Sequence, residues 1–439
     1  MARPGRAAKD GRAMYTVVAV GLGLLGVVFV SYQLHLSFWD SPIMLKILGA
    51  GLLSLQLVTP SSATLLYVSS YAGTITTLNL TVPSGNTSSA SIDTISTSTG
   101  CASSPSWLTL DYPKSLLYCT NEGFTTPGSI SSFKTNNDGS LVQLDQLDVI
   151  LGPVSAVVFG EGGNGLALAH YSGSSFSTFS TADPSALAPL QNQTYTLSQP
   201  GPNATRQDAP HPHQALLDPT GQYILVPDLG ADLVRVFRVD KGGITWTAVD
   251  PLVAAPGSGP RHAAFLRTEN HTLMYLISEL ANTITGYEVL YNSNSTLGFT
   301  KLFVTSTHGE GKSVPDGTSA AEITLTPDEK FLVVSSRGEN SFTIPNFDSS
   351  NSTEIVSDAL ISFSVDHTSG NLTHVQSYPS GGRFPRQFSV NKAGNLVAVG
   401  LQSDSRVVII ERDVKTGVLK RFLASTTVAG EVTAVIFNE

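Results

Sequence analysis

The chain has 439 residues, with 25 Lys and Arg against 34 Asp and Glu, a formal net charge of −9. No cationic surplus exists to neutralise phosphates, which excludes a general nucleic-acid binder. Charged residues make up only 13% against 41% hydrophobic, which excludes disorder, and the 39 Gly and 24 Pro read as short strands joined by turns rather than as helical bundles.

The first element is basic and then apolar. Arg3, Arg6, Lys9 and Arg12 precede an uncharged run from Tyr15 to Tyr32. At about 1.5 Å per residue this run just spans a bilayer core, and the basic flank keeps the N-terminus on the cytosolic side. Residues 1–43 therefore read as a signal-anchor-like helix. A second apolar stretch, Ile47 to Val58, follows Met44-Leu-Lys46 and ends in small residues at 59–63. Residues 44–63 have the layout of a secretory signal peptide, and Met44 is an alternative start. Either way residues 64–439 are expected in the secretory pathway, secreted or anchored as a type II single-pass protein. Membrane contact is expected only through the N-terminal segment.

Eight Asn-x-Ser/Thr sequons agree with export: Asn79, Asn86, Asn192, Asn203, Asn270, Asn294, Asn351 and Asn371. Cys101 and Cys119 are the only cysteines, too few for a disulfide scaffold or a cysteine zinc site. An oxidising compartment favours one bridge between them, and a reducing one leaves two core thiols.

From residue 64 a unit of about fifty residues recurs. Seven segments have the same apolar strand pattern, beginning at Leu65, Leu116, Leu166, Tyr223, Leu273, Phe331 and Leu396. A preceding strand opens at Pro105, Pro153, Pro212, Pro260, Ala321 and Pro385. The first unit lacks such a strand, while Gly430 to Phe437 at the far end matches Gly152 to Phe159. The expectation is an all-β, seven-bladed β-propeller over 64–439, closed by the C-terminal strand pairing into the N-terminal blade. Closure leaves no sheet edge open.

In such a blade the innermost strand begins on the face where the second strand ends, so side chains at both points converge on the central channel. Charged and imidazole residues concentrate in those slots. The innermost starts supply His211, His213, Arg261, His262, Glu322 and Arg386, and the second-strand ends supply Glu122, His170, Asp228, Glu279 and Arg337.

The segments Asp208 to Gly221, Val226 to Phe237, Gly257 to Phe265 and Ser336 to Ser341 resemble those of the seven-bladed lactonase propellers. That family includes propeller 6-phosphogluconolactonases and fungal 3-carboxy-cis,cis-muconate lactonizing enzymes. The resemblance covers 64–439 and implies a lactone-ring enzyme, a hydrolase or a cycloisomerase resembling carboxymuconate cyclase. It places the catalytic set on His213, Glu279, Arg261 and Arg337. His211, His262, Asp228, Glu322 and Arg386 are the substrate-binding candidates. The third unit departs from the pattern, with Ser155 where relatives often carry His. Arg forks suit carboxylate or phosphate groups. His213 or Glu279 is then the proton donor or base, while Arg261 and Arg337 hold substrate and stabilise an oxyanion or enolate. No EF-type or His-x-x-x-His pattern is present, so neither metal nor cofactor is expected, and the partner is a small lactone or carboxylic acid. The reading from another class is an exported, glycosylated propeller that binds without catalysis.

Overall fold

The computed structural model describes residues 63–83 and 90–439. The anchor-like segment, the signal-like segment as far as residue 62, and the Asn86 sequon lie outside the described residues. No helix among the described residues is long and apolar enough to cross a membrane.

Seven four-stranded antiparallel sheets follow one another along the chain, each an expected unit. Their second strands are Ala63–Ser70, Leu116–Asn121, Gly165–His170, Tyr223–Asp228, Thr272–Ser278, Phe331–Arg337 and Leu396–Leu401. Blades are numbered 1 to 7 in that order. Blade 6 carries an inserted hairpin, Phe342–Ile344 with Ile355–Ser357, between its second and third strands.

The second strands are near-continuous apolar runs because both of their faces are buried between blades. In blade 1, Leu66 and Val68 pack with Ala398, Val407 and Ile409 of blade 7. Tyr67, one residue out of phase, packs with Leu108, Leu117 and Cys119 of blade 2. The period of two thus divides each strand between two neighbours.

Ring closure is as expected. Val432–Phe437 lies antiparallel to Ala63–Ser70 from Leu66↔Phe437 to Ser70↔Val432. Cys101, in the loop before blade 2, is bridged to Cys119 in its second strand, and both are sealed.

One expected strand is reduced. In blade 4 the innermost segment forms only the short strand Leu216–Leu217 and a single bridge, Pro212↔Asp228, rather than a ladder from Pro212. Pro210 and Pro212 have no amide hydrogen to give, and the His211 amide donates instead to the Asp228 side chain at 2.7 Å.

Candidate active site

A bulge recurs at the start of the innermost strands. The register shifts there in blades 1, 2, 3, 5, 6 and 7. The extra residue is Thr433, Ser106, Val154, Arg261 or Arg386, and in blade 6 the pair Ala321 and Glu322. In blade 4 the His213 amide donates to the Pro227 carbonyl at 2.8 Å just past the Pro212 bridge, so His213 fills the equivalent place. Bulges re-aim side chains, and these carry the charged or imidazole groups of blades 4 to 7 to the inner rim.

The centre of the cluster is Glu279. Arg206 donates to its Oε1 at 2.6 Å, while Arg261 Nε and Arg337 Nη2 each lie 2.9 Å from Oε2. Burial alone raises this carboxyl, but Arg337, Arg261 and Arg206 outweigh it and hold it at about 2. Arg261 is held in turn by the Ala321 carbonyl at 2.8 Å, and Arg337 by that of Ala320 at 2.9 Å. Burial first, then Arg337, push Arg261 down to about 9.

His213 adjoins this group. Its Nδ1 lies 3.2 Å from His262 Nε2, and His262 Nδ1 lies 2.9 Å from Glu322 Oε1. Burial, then Arg261 and the other nearby cations, drive His213 well below the usual imidazole value. No hydrogen bond from the described residues reaches His213 Nε2, Arg261 Nη2 or Arg337 Nη1, and the buried Arg261 Nε also makes none although it stands 2.9 Å from Glu279.

A second cluster joins blades 7, 1 and 2. Arg386 donates to Tyr71 Oη at 2.6 Å and to Glu122 at 3.4 Å, and Tyr71 donates to Glu122 at 2.7 Å. The field of Arg386 reaches His213. Around the channel, four guanidinia (Arg206, Arg261, Arg337, Arg386) face three carboxylates (Glu122, Glu279, Glu322). One positive charge is left in excess.

His213, Arg261, Glu279 and Arg337 are therefore brought together, with His262, Glu322 and Arg386 beside them. Glu279 differs from the expected proton donor or base. A carboxyl at about 2 carries no proton to give at neutral pH, and both of its oxygens are already held by Arg206, Arg261 and Arg337. His211 and Asp228 also differ from expectation, because neither has a polar atom left for a substrate. His211 stacks on Tyr171 at 4.2 Å, and its ring nitrogens meet the Tyr171 carbonyl at 2.9 Å and Asp208 at 3.0 Å. Asp228 is sealed and accepts from the His211 and Ala231 amides and from Arg235. His170 is likewise sealed against Ser177 and the Ile150 carbonyl. The reason is register. His170 and Asp228 end their strands, whereas Glu122 and Glu279 stand one residue further on, and one step reverses a side chain's direction. Arg337 shares the register of His170, yet its length carries it to Glu279.

Sequence reasoning missed Arg206, Tyr71 and Tyr171. The tyrosines occupy the slot of Glu122 and Glu279, one residue past Ser70 and His170, and a search for charge passed over them. Arg206 comes from the irregular loop after blade 3, where no repeat register applies. Ser155, in place of a histidine, accepts from the Ala215 amide at 3.3 Å and braces blade 4. No group of three His, Cys, Asp or Glu among the described residues is placed to hold a metal ion.

The family described as "Lactonase, 7-bladed beta-propeller" matches residues 65–437. A protein of Arthroderma benhamiae named "Probable 6-phosphogluconolactonase" is 30% identical over 376 residues, covering 85% of this chain and 88% of that one. The 6-phosphogluconolactonase of Formosa agariphila is 26% identical over 317 residues, or 71% of this chain and 82% of its own length. The periplasmic gluconolactonase of Pseudomonas aeruginosa superposes with a TM-score of 0.68 at 24% identity, covering 86% of this chain and 99% of that structure. By blade order, closure and family match together, the chain belongs to the seven-bladed β-propeller lactonase family and is an enzyme of it.

Proposed function

We propose that the chain hydrolyses the ring ester of a small, anion-bearing lactone, with His213 as general base and Arg261 and Arg337 as the oxyanion site. One observation carries this reading: an unpartnered imidazole nitrogen stands in the same cluster as two guanidinium groups with unpartnered N–H bonds. His213 Nε2 takes a proton from water as the oxygen adds to the lactone carbonyl carbon. The negative charge that develops on the carbonyl oxygen falls to Arg261 and Arg337, whose donors are fixed before the reaction. Burial and the neighbouring Arg337 both disfavour the charge on Arg261, so a new anion beside it is favoured. The intermediate collapses with cleavage of the ring C–O bond, and His213 returns the proton to the alkoxide. Glu279 is the anion that assembles the arginines, not the carrier of the proton. The excess positive charge favours a substrate carrying a carboxylate or phosphate.

The test is a panel on the full-length protein: glucono- and 6-phosphoglucono-lactones, simple lactones, and cyclisation of 3-carboxymuconate. His213→Ala is expected to lower hydrolysis by about 10²–10⁴-fold, and Arg261→Ala by about 10²–10³-fold. Cyclisation without hydrolysis would move the chain to the cycloisomerases. No turnover of any substrate by folded protein would favour the non-catalytic binding reading.

We infer that the propeller is exported. Two features support this: the sealed Cys101–Cys119 bridge, which persists in oxidising compartments, and the exposure of Asn192, Asn203, Asn270, Asn294, Asn351 and Asn371. Asn79 differs, being half-buried in the strand Thr74–Thr81 with a sealed Oδ1. Protein from a eukaryotic secretory host is expected to lose mass on endoglycosidase treatment and to take up alkylating agent only after reduction. An unchanged mass together with two thiols reactive in denaturant before reduction would overturn the inference.

A further inference from the structure

Blade 5 differs from blades 3, 4 and 7 at one position. In those three blades the residue just after the bulged slot accepts a backbone amide of the next blade. Ser155 takes that of Ala215, Gln214 that of Ala263 at 2.7 Å, and Gln387 that of Val435 at 2.7 Å. In blade 5 this residue is His262, and its partner in blade 6 is the Glu322 side chain. Bracing between blades needs no such pair, since Ser and Gln do it elsewhere.

We infer that His262 and Glu322 are positioning residues which fix His213 in the tautomer with its lone pair on Nε2. The inference rests on the assignment of His213 as the base. The chain of donors has one direction. Glu322, a carboxylate, only accepts, so His262 Nδ1 carries the hydrogen between them. A neutral His262 then has a lone pair on Nε2, which lies 3.2 Å from His213 Nδ1. Arg261 Nη1 also stands 3.5 Å from that lone pair, but its hydrogen bond goes to the Ala321 carbonyl at 2.8 Å, so the nearer His213 Nδ1 is the donor and its Nε2 is left free to take a proton. Glu322 is fixed by the Ile323 amide at 3.1 Å, while its Oε2 is sealed without a partner. Ring edges fix the planes: Trp107 meets His262 at 5.6 Å, and Tyr171 meets His213 at 5.6 Å.

A protonated His262 reverses the relay. It would donate from Nε2 to His213 Nδ1, and His213 would then carry its hydrogen on Nε2 and no longer act as a base. The groups facing these rings are Tyr171, Arg261, Glu279, Glu322, Arg337 and Arg386. Burial lowers His262 while Glu322 raises it.

The test pairs two variants of the full-length protein with a readout independent of any substrate. His262→Phe keeps the bulk but ends the relay. His262→Gln can accept from His213 through its carbonyl and donate to Glu322 through its amide. Imidazole ¹⁵N shifts are expected to show His213 unprotonated at Nε2 in the wild type and in His262→Gln, with mixed tautomers in His262→Phe. On a hydrolysed lactone, His262→Phe is expected to lower kcat about tenfold or more with KM little changed, and His262→Gln to restore it. Glu322→Gln removes the anion that favours protonated His262, so the acid limb of kcat should move to lower pH. An Nε2–H on wild-type His213, an unchanged tautomer in His262→Phe, or an acid limb unmoved in Glu322→Gln would overturn the relay. Correct tautomers in a protein that turns over no lactone would leave the relay standing and fell only the assignment of function.

Discussion

Glu279→Ala is expected to be the most damaging single substitution in the channel, destabilising the protein by about 3–5 kcal/mol and abolishing turnover. The size follows from what remains. Arg261 is 3% and Arg337 10% exposed, and both lie 2.9 Å from the same carboxylate oxygen. Without it, buried like charges face one another with no anion between them, which is the costly way to break a buried ion pair. Arg206 is 40% exposed and can turn to water, so its loss of partner matters least. Glu279→Gln still offers Arg206 an acceptor but brings no charge, and should fall between. The denaturation midpoint of Glu279→Ala should also rise more steeply than that of the wild type with added citrate or malonate, because a bound anion stabilises the folded state by mass action. A Glu279→Ala protein with an unshifted midpoint would mean that solvent already neutralises the arginines.

The same cluster separates what the chain makes legible from what it hides. The blades are readable because strands buried on both faces are apolar and recur at a near-constant interval. The closing strand is readable because Gly430 to Phe437 has the pattern of an innermost strand with no unit of its own. His213, Arg261 and Arg386 are readable for a related reason: each follows a proline that opens an innermost strand, and the bulge there is a property of the repeat. Other parts obey rules with no sequence period. Arg206 depends on how the 200–210 loop folds back over blade 5, which a pattern of strands does not encode. Asp228 and His170 have the right chemistry in nearly the right place, yet one residue of register turns them into the packing. The role of Glu279 is hidden as well, because it depends on three arginines from separate segments. A carboxylate near one cation is an acid–base candidate, and the same group among three is a fixed counter-ion.

Deleting residues 430–439 is expected to abolish the cooperative fold of all seven blades rather than to fray one edge. The segment supplies the innermost strand of blade 1, in which Val432, Ala434, Val435 and Phe437 are buried. Burying apolar side chains of this size contributes about 1.5–3 kcal/mol each for the larger ones, so the strand is worth several kcal/mol before any hydrogen bond is counted. That is comparable with the entire stability of an ordinary domain, about 5–15 kcal/mol. The polar ties lead the same way. Thr433 joins Ser69 at 2.8 Å and donates to the Pro105 carbonyl of blade 2 at 2.8 Å, while the Val435 amide donates to Gln387 of blade 7 at 2.7 Å. One short strand thus holds blades 7, 1 and 2 together, and these blades also carry Arg386, Tyr71 and Glu122. Its loss bares the Ala63–Ser70 edge, an unpaired strand beside exposed Leu66 and Val68, which is the form of edge that recruits other chains. The expected outcome is a broad, non-cooperative melt with aggregation, measured by circular dichroism and light scattering. Thr433→Val, which keeps the strand and removes two hydrogen bonds, should still melt in one transition at a modestly lower temperature. A truncated chain that melts sharply near the wild-type temperature would show that the ring does not depend on its closing strand.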